Sequence, residues 1–221
     1  MITYEDFYTP SQKALHDAHD SARLANVVIA SNVRDEIQPE HRPFIEASDF
    51  FFLATVDARG MPTVSYKGGA PGFVRILDPK TIVFPNYDGN GMFLSMGNVG
   101  ETSKVGLLFI DMVTPNRVRL QGEATVSPDD PEMASYPGAN MVVRVNVDAC
   151  FLNCARYIHK HQRVETSRYV PDAKGDAPFP AWKRIDEVQE ALRPEDRAKV
   201  DGAGGTITFE DYVGKVMDGT S

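Results

Sequence analysis

The sequence has little of what several protein classes need. Two cysteines in 221 residues are too few for a disulfide-stapled domain. No uncharged apolar run reaches the roughly 18 residues that a membrane-spanning helix requires, so no membrane partner is expected. Basic residues are also in deficit, with 23 Lys and Arg against 31 Asp and Glu, a formal charge of −8. This balance argues against broad nucleic-acid binding, which depends on a basic surface.

The remaining composition is that of an ordinary globular protein, with 42% hydrophobic and 24% charged residues. The length suits one compact domain with extensions. We predict an N-terminal helical extension over 1–48, a β-rich domain over 49–162, and a linker with short helices over 163–221. The N-terminus is acidic and has no basic stretch before an apolar run, so we expect no secretory signal and a cytoplasmic location.

Helix signals lie at both ends of the chain. Thr9–Gln12 combines a Thr cap, a following proline and a Gln three positions later, and apolar residues then recur at helical spacing as far as Ile29. A short helix is predicted over Pro39–Ala47. Near the C-terminus, Trp182–Leu192 shows one apolar helical face, and Phe209–Met217 follows a Thr that suits a helix cap.

Strand signals fill the middle of the chain. Aromatic and β-branched residues there alternate with turns, and strands joined by tight turns must be antiparallel. We therefore predict a mainly β fold with flanking helices, built on a six-stranded antiparallel sheet that closes into a small barrel. Candidate ranges for these strands, one more than a six-stranded sheet holds, are Phe50–Val56, Pro62–Lys67, Phe73–Leu77, Thr81–Phe84, Lys104–Asp111, Arg117–Val126 and Met141–Val147.

One stretch has the ingredients of a phosphate site. Ser65 and Lys67 supply a hydroxyl and a charge, and Gly89–Gly91 precedes a predicted helix over Met92–Asn98. A helix N-terminus exposes unpaired N–H groups that favour an anion. The alternative is a plain loop and a strand bulge, and spacing alone favours this alternative.

Four motifs in the stretch Phe51–Gly122 form a recognisable combination. They are Phe52–Asp57 with Gly60 and Pro62, Ser65–Gly69 with Pro71–Arg75, Phe84–Met92, and Val105–Asp111. With these motifs the stretch resembles the pyridoxamine 5′-phosphate oxidase-like superfamily of FMN-binding split barrels. It is similar to a little-characterised branch rather than to the vitamin oxidase itself, whose C-terminal substrate-binding segment is not recognisable here. The resemblance implies a split β-barrel with Greek-key topology over 49–162.

The resemblance implies a homodimer that binds FMN at the subunit interface. In the vitamin oxidase an Arg-Lys pair holds the phosphate at the positions matching 90–92, and this pair is absent here. The phosphate therefore falls to Lys67, Asn90 and backbone N–H groups. The implied cofactor contacts are Ser65, Tyr66, Lys67, Gly68, Phe84, Pro85, Asn86, Tyr87, Asn90, Gly91 and Met92.

Two further groups are implied to reach the flavin of the partner chain. Arg117 matches a position that does so from the hairpin after Pro115. Arg156, Tyr157 and His159 are similar to a segment that approaches the redox face, where a cation would bind an anionic substrate or stabilise reduced flavin. The equally supported alternative is a surface connection.

The function that follows is an FMN-dependent oxidoreductase acting on a small organic substrate, with a nicotinamide as candidate electron donor. The alternatives are a non-catalytic flavin-binding or stress-protection module, or the same barrel binding deazaflavin or haem. Catalysis would be the flavin's own, and the sequence assigns no catalytic residue. No metal site is predicted, because Cys150, Cys154, His159 and His161 lack the spacing of a structural zinc site.

Overall fold

Seven antiparallel strands form one sheet in a computed structural model that describes residues 2–221. Their order across the sheet is β2-β1-β5-β6-β7-β4-β3. All neighbouring strands are antiparallel, as the tight turns predicted. The strands are β1 (Phe50–Val56), β2 (Pro62–Gly68), β3 (Arg75–Asp78), β4 (Thr81–Tyr87), β5 (Lys104–Asp111), β6 (Asn116–Ser127) and β7 (Ala139–Leu152).

The predicted six-stranded closed barrel is wrong in strand number and in closure. Every predicted strand range holds a strand, and together they make seven. The edges are β2 and β3, and no ladder joins them within residues 2–221. The reason lies in the link between them, where Gly69 and Gly72 donate hydrogen bonds to the carbonyls of Asp49 and Glu46 instead of extending a ladder.

Strand alternation places the core on one face of the sheet. In β1 the side chains of Phe51 and Leu53 are fully buried, and their neighbours in the strand are only partly covered. The Phe51 ring lies 4.9 Å from that of Phe84 and 5.0 Å from that of Phe109. Burying each such ring contributes roughly 1.5–3 kcal/mol, so this aromatic cluster anchors β1, β4 and β5 together.

The N-terminal helices differ from the single helix predicted. The Thr9 capping box with Gln12 is confirmed, but the chain turns at Asp20, whose φ is 49°, and so forms two helices. The second packs Ile29 against Phe151 of β7. The helices before the sheet are α1 (Tyr4–Phe7), α2 (Pro10–Ala18), α3 (Ala22–Asn32) and α4 (Arg42–Ala47).

The helix predicted from Met92 begins two residues later, as α5 (Leu94–Thr102). After the sheet, the single face predicted over Trp182–Leu192 becomes two short 3-10 helices, Ala181–Arg184 and Asp186–Ala191. Ile185 separates them because it forms a bridge with Ile207 and must be extended there. The predicted cap is confirmed in α7 (Phe209–Met217), which follows α6 (Pro194–Arg197). Among residues 2–221, no helix is both long and apolar enough to cross a bilayer.

Candidate functional site

The edge strand β2 has an inverted pattern of polarity. Its apolar side chains Val64 and Tyr66 are exposed by 66% and 62%. Its polar side chains Ser65 and Lys67 face the same side as the core residues Leu53 and Phe51, to which they are paired in register. A strand that only completed a core would have the opposite pattern. Polar groups at core-facing positions therefore indicate a binding site at this edge.

The helix α5 is fixed against this edge by buried polar contacts. Asn98 donates a hydrogen bond of 3.0 Å to the Thr55 hydroxyl, and the Thr102 hydroxyl donates one of 2.8 Å to the carbonyl of Val56. These bonds hold the helix on β1 and set its first turn beside β2. There the buried Ser95 places its hydroxyl 3.0 Å from that of Ser65.

A groove of about 430 Å³ lies between β2, the end of β4 and the start of α5. We call it the β2–α5 groove. Ten of the residues that the sequence predicted as cofactor contacts line it, although they come from three separate segments. These ten are Ser65, Tyr66, Lys67, Gly68, Pro85, Asn86, Tyr87, Asn90, Gly91 and Met92.

Lys67 is the one lysine or arginine among the described residues that line this groove. Its ammonium group has no hydrogen bond or ion pair within residues 2–221. Burial lowers the pKa of Lys67, because the charged form is disfavoured away from water. A partly buried cation without a protein counter-charge suits an anionic ligand.

Three of the predicted residues have roles that the sequence did not reveal. The Asn90 side chain accepts a hydrogen bond of 3.1 Å from the backbone N–H of Met92 and so shapes the loop. The Asn86 amide donates to the side-chain oxygen of Asn140 on β7 at 2.8 Å. Phe84 does not line the groove, because its ring is fully buried against Phe51. The cofactor contact predicted for Phe84 stays a prediction.

The outer margin of the groove is apolar. Met92, Phe93 and Leu94 are exposed by 62%, 52% and 51% at the loop that leads into α5. Val64 and Tyr66, which are also exposed, line the same groove. Exposed apolar side chains gathered at one groove suit an interaction site better than a solvated face.

The residues predicted to act on a partner's flavin lie away from the groove in their own chain. The Arg117 guanidinium donates a hydrogen bond of 2.7 Å to the carbonyl of Cys154, which joins β6 to the segment after β7. That segment carries Arg156, His159 and Tyr157, whose side chain is 90% exposed. The structure thus brings Arg117 close to this segment, which the sequence placed in a separate group.

The four residues weighed as zinc ligands do not converge. Cys150 is buried, with its Sγ 3.4 Å from Nδ1 of His41, whereas Cys154 is exposed. Within residues 2–221 no group of three or more His, Cys, Asp or Glu side chains is placed to hold a metal ion. A backbone hydrogen bond from Arg156 lowers the pKa of the Cys154 thiol.

The C-terminal segment is anchored at the groove through Asp88. Its carboxylate accepts from Lys183 at 2.5 Å, and the same ammonium lies 3.1 Å from the carboxylate of Asp196. Arg193 also contacts both carboxylates. Because Lys183 and Asp196 are buried, loss of one partner would leave an uncompensated charge. This network ties the C-terminal segment to the loop that closes the groove.

The middle of the chain matches a known protein family. The family model for pyridoxamine 5′-phosphate oxidase matches residues 37–174, which include all seven strands and α5. The chain belongs to the pyridoxamine 5′-phosphate oxidase family. The family match leaves out α1 to α3 and the C-terminal segment beyond residue 174. A search of curated proteins finds no match.

Several solved structures match this chain at low identity. HupZ of Group A Streptococcus is 19% identical over 57% of this chain and 99% of its own, with a TM-score of 0.44. The haem storage protein HutZ of Vibrio cholerae is 20% identical over 52% and 94%, with a TM-score of 0.39. An FMN-binding protein of Syntrophomonas wolfei is 11% identical over 63% and 97%, with a TM-score of 0.38.

Several residues that line the groove are not among the cofactor contacts predicted from the sequence. Thr63 had a usable signal, since it continues the inverted polarity of β2. Ser95 had none, because Leu94–Met96 reads as an ordinary helix start. Asp88 falls in a polar loop, and only the fold shows that Lys183 reaches it across 95 positions of sequence.

Proposed function

We propose that this protein is an FMN-dependent oxidoreductase that acts on a small organic substrate, with FMN held in the β2–α5 groove. One observation carries the proposal. Lys67, a partly buried cation without a counter-charge, lies in the same groove as the paired hydroxyls of Ser65 and Ser95 and the first turn of α5. A hydroxyl pair, a cation and helix N–H groups are the donors that a phosphate uses.

In this proposal the groove would accommodate both ends of FMN. Lys67, Ser65 and Ser95 would hold the phosphate, in place of the Arg-Lys pair of the vitamin oxidase. Tyr66 and Tyr87 offer aromatic surface for the ring system, and Gly68 lets backbone approach it closely. When bound, FMN supplies hydride or electron transfer, and the protein supplies binding and orientation.

The apolar margin supports a homodimer as part of this proposal. Val64, Tyr66 and Phe93 expose apolar surface beside the groove, and a second copy of the chain would cover it. In that arrangement Arg117 and Arg156 would reach the partner's flavin. Their cationic groups would then stabilise negative charge on the reduced ring or bind an anionic substrate.

The groove itself offers few groups for proton transfer. Its described lining includes no histidine, cysteine or glutamate, and its one aspartate, Asp88, is neutralised by Lys183 and Arg193. Burial raises the pKa of Tyr66 and Tyr87, which keeps both phenols protonated as donors. This scarcity favours a second candidate, a flavin-binding module without turnover.

Anaerobic mixing of the FMN-loaded protein with NADH or NADPH separates the two candidates. The oxidoreductase predicts that the flavin absorbance bleaches on mixing and returns when an acceptor is added. Retained FMN that neither nucleotide reduces would instead support the non-catalytic module. If the protein takes up haem or a deazaflavin but not FMN, both candidate functions are ruled out.

A further inference from the structure

The C-terminal segment contains a cavity of about 710 Å³ that is separate from the β2–α5 groove. Its walls come from the chain around residue 168, the 3-10 helix Ala181–Arg184, the turn after α6, and α7. Most of its lining falls beyond residue 174, outside the part of the chain that matches the family. We call it the cationic cavity, because four cations line it: Arg168, Arg184, Lys199 and Lys215.

No carboxylate within residues 2–221 forms an ion pair with these four cations, although Asp211 acts electrostatically on Lys215 from one turn earlier in α7. No aspartate or glutamate is among the residues described as lining the cavity. Within residues 2–221, none of the four belongs to an ion pair, whereas the nearby Lys183 and Arg193 are both neutralised by carboxylates. Acidic residues outnumber basic ones by eight in the whole sequence, so counter-charges were available. Four unpaired cations around one cavity raise its potential and favour an anion there.

One of the cations, Arg184, is held in place before any ligand arrives. Arg184 donates hydrogen bonds of 2.7 and 2.9 Å to the carbonyls of Gly205 and Gly204. Both glycines have positive φ, of 76° and 100°, so the turn that presents these carbonyls favours glycine. Arg168 lies 5.4 Å over the ring of Tyr169. A guanidinium that is already fixed loses little freedom on binding.

The walls of the cavity and its position suggest an organic ligand. Tyr169 and Phe179 line it with aromatic surface. Tyr169 also borders a neighbouring cavity of about 470 Å³, whose other walls include Tyr66, Gly68 and Tyr87 of the β2–α5 groove. A ligand with a charged end and an organic remainder would have the aromatic surface of Tyr169 and Phe179 to contact.

We propose that the cationic cavity binds a phosphate-bearing organic anion, at a site distinct from the one that holds FMN. Phosphate fits better than a single carboxylate because it carries more charge and accepts paired bonds from guanidinium groups. The site does not depend on whether the protein turns over.

Calorimetric titration of the full-length, FMN-loaded protein with inorganic pyrophosphate tests the proposal. We expect one site per chain. A double variant, Lys199→Ala with Lys215→Ala, should bind pyrophosphate at least tenfold more weakly. The matched control, Lys160→Ala with Lys174→Ala, removes the same charge outside the cavity lining and should bind as the parent does. If the double variant is unfolded by circular dichroism, Lys199→Glu alone repeats the test at an exposed position.

Three results would overturn the proposal. The first is the absence of binding to the parent protein. The second is an equal loss in the control, which would mean diffuse attraction, or a loss in Lys67→Ala, which would place the anion in the β2–α5 groove. The third is citrate binding as tightly as pyrophosphate, which would show that the site selects charge and not phosphate.

Discussion

At the scale of single residues, Lys67 is where the requirements of folding and binding oppose each other. It occupies a core-facing position on an edge strand, in register with Phe51, and no acidic group within residues 2–221 neutralises it. Burial lowers the pKa of Lys67. At neutral pH, keeping its ammonium group charged therefore costs more free energy in the folded, ligand-free protein than in the unfolded chain. A residue that reduces stability in this way is typical of a binding site.

Lys67→Met should therefore raise the thermal midpoint of the FMN-free protein while it weakens FMN binding. Charge-assisted phosphate contacts contribute about 1.5–3 kcal/mol, which corresponds to roughly a tenfold to hundredfold loss of affinity. Differential scanning calorimetry and fluorescence titration with FMN measure the two effects. Lys160→Met, at an exposed position, is the control and should change neither. A lower thermal midpoint in Lys67→Met would show that Lys67 stabilises the fold instead.

A second residue gives the fold an expected dependence on pH. His41 is 8% exposed, and its Nδ1 lies 3.4 Å from the Sγ of Cys150. Burial lowers its pKa from 6.5, with nearby Arg34 acting in the same direction and Glu40 opposing both. The unfolded chain therefore binds this proton at a higher pH than the folded protein does. Stability is complete above the unfolded pKa and is lost as the pH falls towards the folded pKa.

The urea midpoint of the parent protein should decrease as the pH is lowered from roughly 7.5 to roughly 5.5. His41→Gln removes the titrating group, so its midpoint should be lower than the parent's at the higher pH but change less between the two. Equal pH dependence in parent and variant would assign the effect to another group.

At the scale of elements, the β6–β7 pairing depends on one glycine. The register between these strands shifts after Gln121, and a Cβ on Gly122 would lie 2.1 Å from the backbone oxygen of Asn146. Backbone cannot move away as a flexible side chain would. The long β6–β7 ladder forms the centre of the sheet, so this contact affects the whole domain.

Gly122→Ala should lower the free energy of unfolding by about 1–3 kcal/mol, the usual cost of overpacking. Gly106→Ala is the matched control in β5, since its Cβ would meet only the Cβ of Ala54, at 3.7 Å, an ordinary contact. Urea unfolding of both variants measures the difference. Similar midpoints would mean that the β6–β7 register relaxes at little cost.

The elements also show which features the sequence could predict. The strand Phe50–Val56 and the helix Phe209–Met217 were predicted with the observed bounds, because a run of aromatic and β-branched residues and a capping box are local signals. The break at Asp20 and the extended Ile185 were missed. The second of these is set by a contact with Ile207, which is distant in sequence.

The site divides in the same way. Ser65 and Lys67 could be predicted from the sequence, because the motif around them is local and resembles that of a known family. The partnership of Ser65 with Ser95 depends on where α5 packs, and hydrogen bonds from Asn98 to Thr55 and from Thr102 to Val56 decide that packing. Contacts across 30 or more positions leave no periodic trace in a single sequence.

At the scale of the whole molecule, the proposed dimer would bring the β2–α5 groove of one chain against the Arg156 segment of the other. Light scattering after size exclusion should give twice the chain mass for the FMN-loaded protein. Arg156→Ala should weaken FMN binding about tenfold without changing the thermal midpoint of the FMN-free protein, because the group would act on the partner's flavin. A monomer that retains FMN, or an Arg156→Ala variant with unchanged affinity, would contradict the interface model.

We propose above that the β2–α5 groove holds FMN. The most direct test is the absorbance spectrum of the purified protein, followed by mass analysis of the small molecule that heat releases from it. We predict a two-band flavin spectrum and FMN in the released fraction, both lost or reduced in Lys67→Ala with the fold intact by circular dichroism. A colourless protein that also takes up no added FMN would contradict the claim.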